Sequence, residues 1–420
     1  MNEFDISAVL VTLAALFGYL NHRLLKLPAT TGILSITLLA SSATLLADRL
    51  VPAWNLRGAL AQFLSGVNFD QILLRGMLCF LLFAGALRVN FESLRANKWA
   101  VVALATLGVL LSTALLGFLT YRLFQGLGFA VPLINCLLLG AILSPTDPIA
   151  VLGLMRDLRA SKDVEAVISG ESLFNDGVGV VVFFILAALA GLGGGPGAEP
   201  IPSLPLDAAL LFFRQVLGGV LLGLGLGYAA YRALKSINFH QLELLITLAL
   251  AMSIYSASFR LHVSGPIAVV VAGLLIGTHG KKFAMSQVTA EHVDAFWGMV
   301  DDILNALLFL LIGLEALAPP LGAPVLLAAL LVIPASLAAR WVSVALPMAL
   351  LGLYRKYPRG IVPILTWGGL RGGLSVAMVL SLPPLPEKEL FLDCTFGVVL
   401  FSVLAQGMTM RRLLSRYGMN

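Results

Sequence analysis

Residues 131–155 read VPLINCLLLGAILSPTDPIAVLGLM, an apolar run interrupted in its middle by SPTDP at 144–148. A membrane-spanning helix needs about 20 apolar residues, and this run is long enough. Pro145 and Pro148 lack backbone donors and break a helix, and Asp147 places a carboxylate between them. At membrane depth, irregular backbone is tolerated only where it is buried in protein or lines a wet cavity. This stretch therefore predicts a discontinuous membrane helix beside a polar site.

The composition of the whole chain points to lipid as its solvent. Of its 420 residues, 59% are hydrophobic and only 12% are charged, whereas soluble domains carry about 25% charged residues. The basic residues are scattered and form no stripe that could follow a phosphate backbone, which excludes nucleic acid as a partner. Cys79, Cys136 and Cys394 lie singly inside apolar runs, which argues against a disulfide framework or a zinc site.

About thirteen apolar runs have the length of a membrane span, and they predict an all-α polytopic membrane protein. Residues 48–71 are too mixed to span and are expected at the membrane interface, and Gly191–Pro205 is a Gly/Pro-rich linker. The predicted spans are 6–25, 29–47, 72–89, 99–121, 131–155, 164–191, 206–231, 241–259, 264–279, 293–317, 323–350, 360–382 and 390–410.

We interpret residues 1–420 as a single membrane domain. A first repeat covers about 6–191, a linker and the seventh span cover about 192–235, and a second repeat covers about 241–414. Most of the 27 Lys and Arg residues fall in loops that follow odd-numbered spans. Because positive charge favours the cytoplasmic side, we expect the N-terminus outside and the C-terminus in the cytoplasm of a bacterial inner membrane.

The sixth span carries a polar motif, GESLFNDG at 170–177. On a helix, Ser172 and Asp176 share one face, and Glu171 and Asn175 share the neighbouring one. The first face offers hydroxyl and carboxylate oxygens, the ligands that hard cations prefer. The carboxylate on the second face needs a positive partner, because a lone charge at membrane depth is unfavourable. The motif thus predicts a cation site beside a structural ion pair.

A second weak point lies in the twelfth span, TWGGLRGGLS at 366–375, where four glycines surround Arg371. This span is the fifth of its repeat, as the one with SPTDP is in the first repeat. Repeats offset by seven spans must be inverted in the membrane. Interrupted segments at corresponding positions indicate a transporter site near the midplane. Asp301 and Asp302 are further acidic residues in the tenth span.

At these residues the chain resembles the NhaP/NHE-type sodium/proton antiporters, the electroneutral branch of the monovalent cation:proton antiporter family. Besides SPTDP and GESLFNDG, the matching motifs are Phe296-Trp297 through FLLIGLE at 309–315, Arg340 in LAARW, and GGLRGG. The motifs occur in the family's order across nearly the whole chain. The resemblance implies thirteen helices with two crossed discontinuous ones, no cofactor, and a homodimer in the lipid bilayer.

The resemblance also implies roles for single residues. Asp176 looks like the carboxylate that binds either the cation or the proton. Asp147, Ser172 and the backbone of Thr146 look like the rest of the cation shell.

Four further positions match the family's structural residues. Glu171 and Arg340 look like its buried ion pair, and Asn175 stands where electrogenic relatives carry a second aspartate. Arg371 looks like the charge that compensates helix ends where the two broken helices cross.

One position departs from the family pattern. In LLFAGAL at 81–87, Ala84 stands where many prokaryotic relatives carry an acidic residue, which leaves affinity, ion choice and pH dependence open.

The function that follows is exchange of Na⁺, with Li⁺ as a further candidate, for H⁺. A K⁺/H⁺ antiporter on the same scaffold is the nearest alternative, and a proton-coupled solute carrier and a cation channel remain further ones. The chain contains no HExxH, GxSxG or nucleotide-binding motif, so we do not expect an enzyme.

Overall fold

The computed structural model describes residues 3–51, 58, 76–157, 162–192, 205–315, 322–355, 357–358 and 360–417, and these contain helices but no strand. Most of the predicted linker and most of the predicted interfacial stretch lie outside them. The helices are α1 (Glu3–Leu20), α2 (Ala29–Leu50), α3 (Leu78–Arg88), α4 (Phe91–Ala96), α5 (Lys98–Gly126), α6 (Leu133–Ile142), α7 (Ile149–Asp157), α8 (Lys162–Leu189), α9 (Pro205–Lys235), α10 (His240–Leu261), α11 (Gly265–Leu275), α12 (Gln287–Glu315), α13 (Ala323–Gly352), α14 (Ile361–Trp367), α15 (Gly373–Leu380) and α16 (Lys388–Arg416).

Nine helices within the described ranges are long and apolar enough to cross a membrane. The shorter apolar helices α3 and α6 add to these. Every predicted span contains helical residues within the described ranges, and the all-α polytopic class is confirmed. The count of thirteen spans stays a prediction, because several of the corresponding segments are shorter than a full span.

Both predicted helix breaks are present. The fifth span consists of α6 and α7, which are separated by residues 143–148, and the twelfth consists of α14 and α15, separated by 368–372. The first break contains the two prolines, which cannot donate to the helix ladder. In the second break, a Cβ added at Gly369 would lie 2.6 Å from Nε of Arg340. The backbone at this break therefore approaches a neighbouring side chain too closely for any larger residue.

The helices pack as two bundles. The broken-helix bundle comprises α5–α8 and α13–α16, and the companion bundle comprises α1–α3 and α9–α12. The two are joined mainly by α8, which also contacts α9 and α11 of the companion bundle. The interrupted helices thus lie together in one bundle, which faces the other. The inverted relation of the two repeats stays a prediction.

Inside the companion bundle, small residues bring α9 and α11 into close contact. Gly219, Gly223 and Gly227 recur at every fourth position of α9 and face α11. A Cβ at Gly219 would lie 2.7 Å from the carbonyl oxygen of Ser264, and one at Gly223 would overlap that of Ala268. In a bilayer, helices associate through such close backbone packing because lipid provides no hydrophobic drive between them.

Candidate functional site

A cavity of about 540 Å³ lies between the two bundles. Its wall includes both helix breaks, together with faces of α3, α8 and α12. Asp176 and Asp147 both line it, and both carboxylates are half-buried. The structure therefore brings the two predicted site carboxylates together at one water-accessible surface.

The cavity runs along α8 from its middle to its N-terminal end. Asp176 lies near the centre of the helix, and Lys162 and Glu165 line the same cavity at the helix start. At about 1.5 Å per residue, Glu165 and Asp176 are about 16 Å apart along the helix axis. A carboxylate deep in the bundle is thus reached from one end of the molecule.

The backbone of the first break is held by side chains of α8. Ser172 Oγ donates to the carbonyl oxygen of Thr146 at 2.6 Å, and Asn175 Nδ2 donates to Thr146 Oγ1 at 2.7 Å. Thr146 N donates in turn to Asn175 Oδ1 at 3.4 Å. Asn175 Nδ2 also donates to Glu171 Oε1 at 3.0 Å. All four side chains are buried, so this network fixes the irregular backbone against the sixth span.

Glu171 and Arg340 form a buried bidentate pair. Nη1 and Nη2 of Arg340 donate to Oε1 and Oε2 of Glu171 at 2.7 and 2.8 Å. Nη2 also donates to the carbonyl oxygen of Leu365 at 3.1 Å. The pair joins α8 to α13, and the third bond adds α14. It therefore ties together one helix of the predicted first repeat and two of the predicted second repeat.

The two breaks are bonded to each other. Arg371 Nη1 donates to the carbonyl oxygens of Ser144 and, at 3.0 Å, Pro145. In the opposite direction, Asp147 N donates to the carbonyl oxygen of Leu370 at 2.7 Å. The carbonyls of Ser144 and Pro145 lie two and three residues beyond the C-terminal end of α6. Arg371 occupies the position where a positive charge offsets the negative end of a helix.

Gly372 makes room for the site carboxylate. A Cβ at this position would lie 2.5 Å from Oδ2 of Asp147. Because Gly372 is the residue that precedes α15, the carboxylate of Asp147 lies at the N-terminus of that helix. A helix N-terminus is a favourable place for negative charge.

Several residues of the cavity wall were not assigned from the sequence. Arg88, the last residue of α3, pairs with Asp301 through Nη1 and Oδ2 at 3.0 Å. Asn305 and Ser375 also line the cavity. Only the position of Asp301 inside an apolar run could have suggested this wall. Ala84 is fully buried and contributes nothing to the lining, although the adjacent Gly85 does.

Two broken helices that meet beside a buried carboxylate helix, in an all-helical membrane protein, are the arrangement of an ion-coupled secondary transporter. A model of the transmembrane region of sodium/hydrogen exchangers matches residues 9–416, and the chain belongs to that family.

Characterised relatives cover almost all of the chain. The Na⁺/H⁺ antiporter NhaP of Pseudomonas aeruginosa is 42% identical over 417 residues, which are 98% of this chain and 96% of the relative. The Na⁺/H⁺ antiporter NhaH of Halobacillus dabanensis is 34% identical over 84% of each chain.

The fold agrees with a solved structure, that of the sodium proton antiporter MjNhaP1 from Methanocaldococcus jannaschii at pH 8. The match has a TM-score of 0.75, covers 97% of both chains, and has 19% sequence identity. At this identity the likeness concerns the fold, and it confirms the predicted antiporter architecture.

Proposed function

We propose that this chain exchanges Na⁺ for H⁺ across a membrane, with Asp176 as the group that carries either ion. The observation that carries the proposal is the position of Asp176, which lies mid-helix on a cavity beside Asp147 and both helix breaks. The relatives named above, which are Na⁺/H⁺ antiporters by name, support sodium as the cation.

The proposed cation shell consists of oxygen atoms. The carboxylates of Asp176 and Asp147, Ser172 Oγ and the carbonyl of Thr146 supply hard ligands of the kind that suit a small cation. Ser172 donates its proton to that carbonyl, so the lone pairs of its hydroxyl stay available to a cation. When Asp176 takes up a proton, the shell loses negative charge and the cation leaves. Binding of one ion therefore excludes the other.

In this proposal, one-for-one, electroneutral exchange follows because the residue next to Asp176 is Asn175, which has no titratable group. Asn175 cannot carry a proton, and its amide is already bonded to Thr146 and Glu171. Glu171 itself is neutralised by Arg340. In this proposal a single proton is exchanged for each cation, and the rate is unchanged when the membrane potential is clamped.

The proposal extends to location and assembly. The cavity extends to Arg88, Asn90 and Lys162, which lie at or beside helix ends on the side that the charge distribution assigns to the cytoplasm. The described conformation would then be open to the inside of a bacterial inner membrane, with the N-terminus outside. A homodimer, a single membrane domain of two inverted repeats, and the lack of a cofactor or enzymatic role complete the proposal.

The test compares Asp176→Asn with Asp163→Asn in proteoliposomes. Asp163 is an exposed acidic residue in the first turn of the same helix and does not line the cavity. We expect Asp176→Asn to abolish cation-driven proton movement and Asp163→Asn to retain it. Gradients of Na⁺, Li⁺ and K⁺ identify the cation, and a response to K⁺ alone would favour the K⁺/H⁺ alternative. Exchange that persists in Asp176→Asn would refute the assignment.

A further inference from the structure

Ser375 is a buried hydroxyl on the cavity wall that forms no hydrogen bond with the described part of the chain. Its side chain is 1% exposed, and no protein donor or acceptor satisfies Oγ. A buried polar group without a partner is unfavourable, and most helical serines avoid it by bonding back to the preceding turn. Ser144 and Ser172, the other buried serines at the breaks, both donate to carbonyl oxygens. Ser375 therefore differs from both of these serines.

The helix register places Ser375 next to the site carboxylates. Gly372 faces the carboxylate of Asp147, as its missing Cβ indicates. Gly372 is the N-cap of α15 and Ser375 lies three residues later in the first turn, on the side of the helix start that the N-cap residue also faces. Both residues, together with Asp147 and Asp176, line the same cavity. Ser375 thus belongs to the wall that contains the proposed cation ligands.

We infer that Ser375 Oγ is a further ligand of the transported cation, contributed by the second broken helix. A hydroxyl oxygen is a suitable ligand for a hard monovalent cation, and a bound cation would satisfy the oxygen. The ion would then bind both broken helices at once, through Asp147 and Thr146 of the first and Ser375 of the second. This inference rests on the proposed function, since it adds a ligand to that same site.

Three variants isolate the hydroxyl. Ser375→Ala removes it without adding volume, and Ser375→Thr retains it. Ser112→Ala is the matched control, because Ser112 is also 1% exposed and its Oγ also lacks a described partner, but it lies on α5 away from the cavity. Two quantities are measured for each purified protein at a fixed alkaline pH. One is the Na⁺ concentration that gives half-maximal thermal stabilisation, and the other is the apparent KM for Na⁺ in exchange.

We expect Ser375→Ala to raise both Na⁺ values about tenfold, the change that one lost ligand contact produces. Ser375→Thr should stay near the wild type, as should Ser112→Ala, and all variants should unfold near the wild-type temperature without Na⁺. A change below about threefold in Ser375→Ala, or an equal change in Ser112→Ala, would overturn the inference while leaving the proposed function intact. A wild type that neither binds nor exchanges Na⁺ would overturn both.

Discussion

Asn175 and Asp176 are adjacent on α8, but one is hydrogen-bonded to protein and the other lines the cavity. The amide of Asn175 is bonded to Thr146 and Glu171, whereas Asp176 beside it faces the cavity. A side chain that is bonded on every side holds the backbone, and one that faces water can exchange its ligand. The same split separates the two other carboxylates, because Glu171 is paired with a guanidinium and Asp147 lies on the cavity wall.

Glu171→Leu should destabilise the protein severely. The change leaves the buried guanidinium of Arg340 without its carboxylate, and an uncompensated buried charge costs about 3–5 kcal/mol. We expect a lower yield of folded protein and a clearly lower midpoint of thermal unfolding in detergent.

The control for this prediction is the partly exposed pair of Lys281 and Asp294. Asp294→Asn should cost at most about 1 kcal/mol, as is typical of solvent-exposed ion pairs. Equal midpoints for Glu171→Leu and Asp294→Asn would contradict a structural role for the buried pair.

The contact between α9 and α11 depends on which face of α9 its glycines occupy. Gly219, Gly223 and Gly227 face α11, and Gly225, two residues from Gly223, has open space around its Cβ position. Large apolar residues of α9, such as Leu217, Leu221 and Tyr228, are exposed. The helix is therefore apolar all round and is oriented by the small residues of one stripe.

Gly223→Ala should destabilise the companion bundle, and Gly225→Ala should not. The added methyl group at Gly223 meets the backbone of α11, and overpacking of this kind costs about 1–3 kcal/mol. At Gly225 the same change removes a glycine from a helix interior, which favours the helix by about 1 kcal/mol at most. Thermal unfolding of both variants measures the difference. Equal effects would indicate that α9 is not held by its glycine stripe.

The sequence predicted the positions of the helices and their breaks better than it predicted which side chains pair. Both helix breaks could be predicted because prolines and clustered glycines act locally on the backbone. The pairing of Arg340 with Glu171 came only from the family resemblance, since 169 residues separate them. Arg88 and Asp301 are 213 residues apart, and no local pattern reveals their contact. The free hydroxyl of Ser375 depends on the absence of neighbours, which only coordinates can reveal.

At the scale of the whole molecule, the cavity separates two bundles whose contacts are concentrated along α8. The broken-helix bundle is cross-linked internally by the Glu171–Arg340 pair and by the bonds between the breaks. The broken-helix bundle has many internal hydrogen bonds, whereas its contacts with the companion bundle are mainly those of α8. This difference favours movement of the broken-helix bundle as a unit. Alternating access in this family member would then be a rigid-body rearrangement.

Competition at one carboxylate gives a defined pH dependence. As pH falls, protons occupy Asp176 and the apparent KM for Na⁺ should rise, approaching about tenfold per pH unit by mass action. At saturating Na⁺ the exchange rate should change much less over the same range, because the cation displaces the proton. Initial rates across a grid of pH and Na⁺ concentration provide the measurement. A KM that stays constant while only the maximal rate changes would require separate sites for the two ions.

The bonds between the two breaks also constrain how the protein is made. The carbonyls of Ser144 and Pro145 accept from Arg371, which the ribosome adds 227 and 226 residues later. Until the twelfth span is inserted, the first break must keep these acceptors hydrated or bonded elsewhere in the membrane. A truncated chain that ends before that span should therefore be recognised by quality-control proteases, however well its earlier helices have inserted.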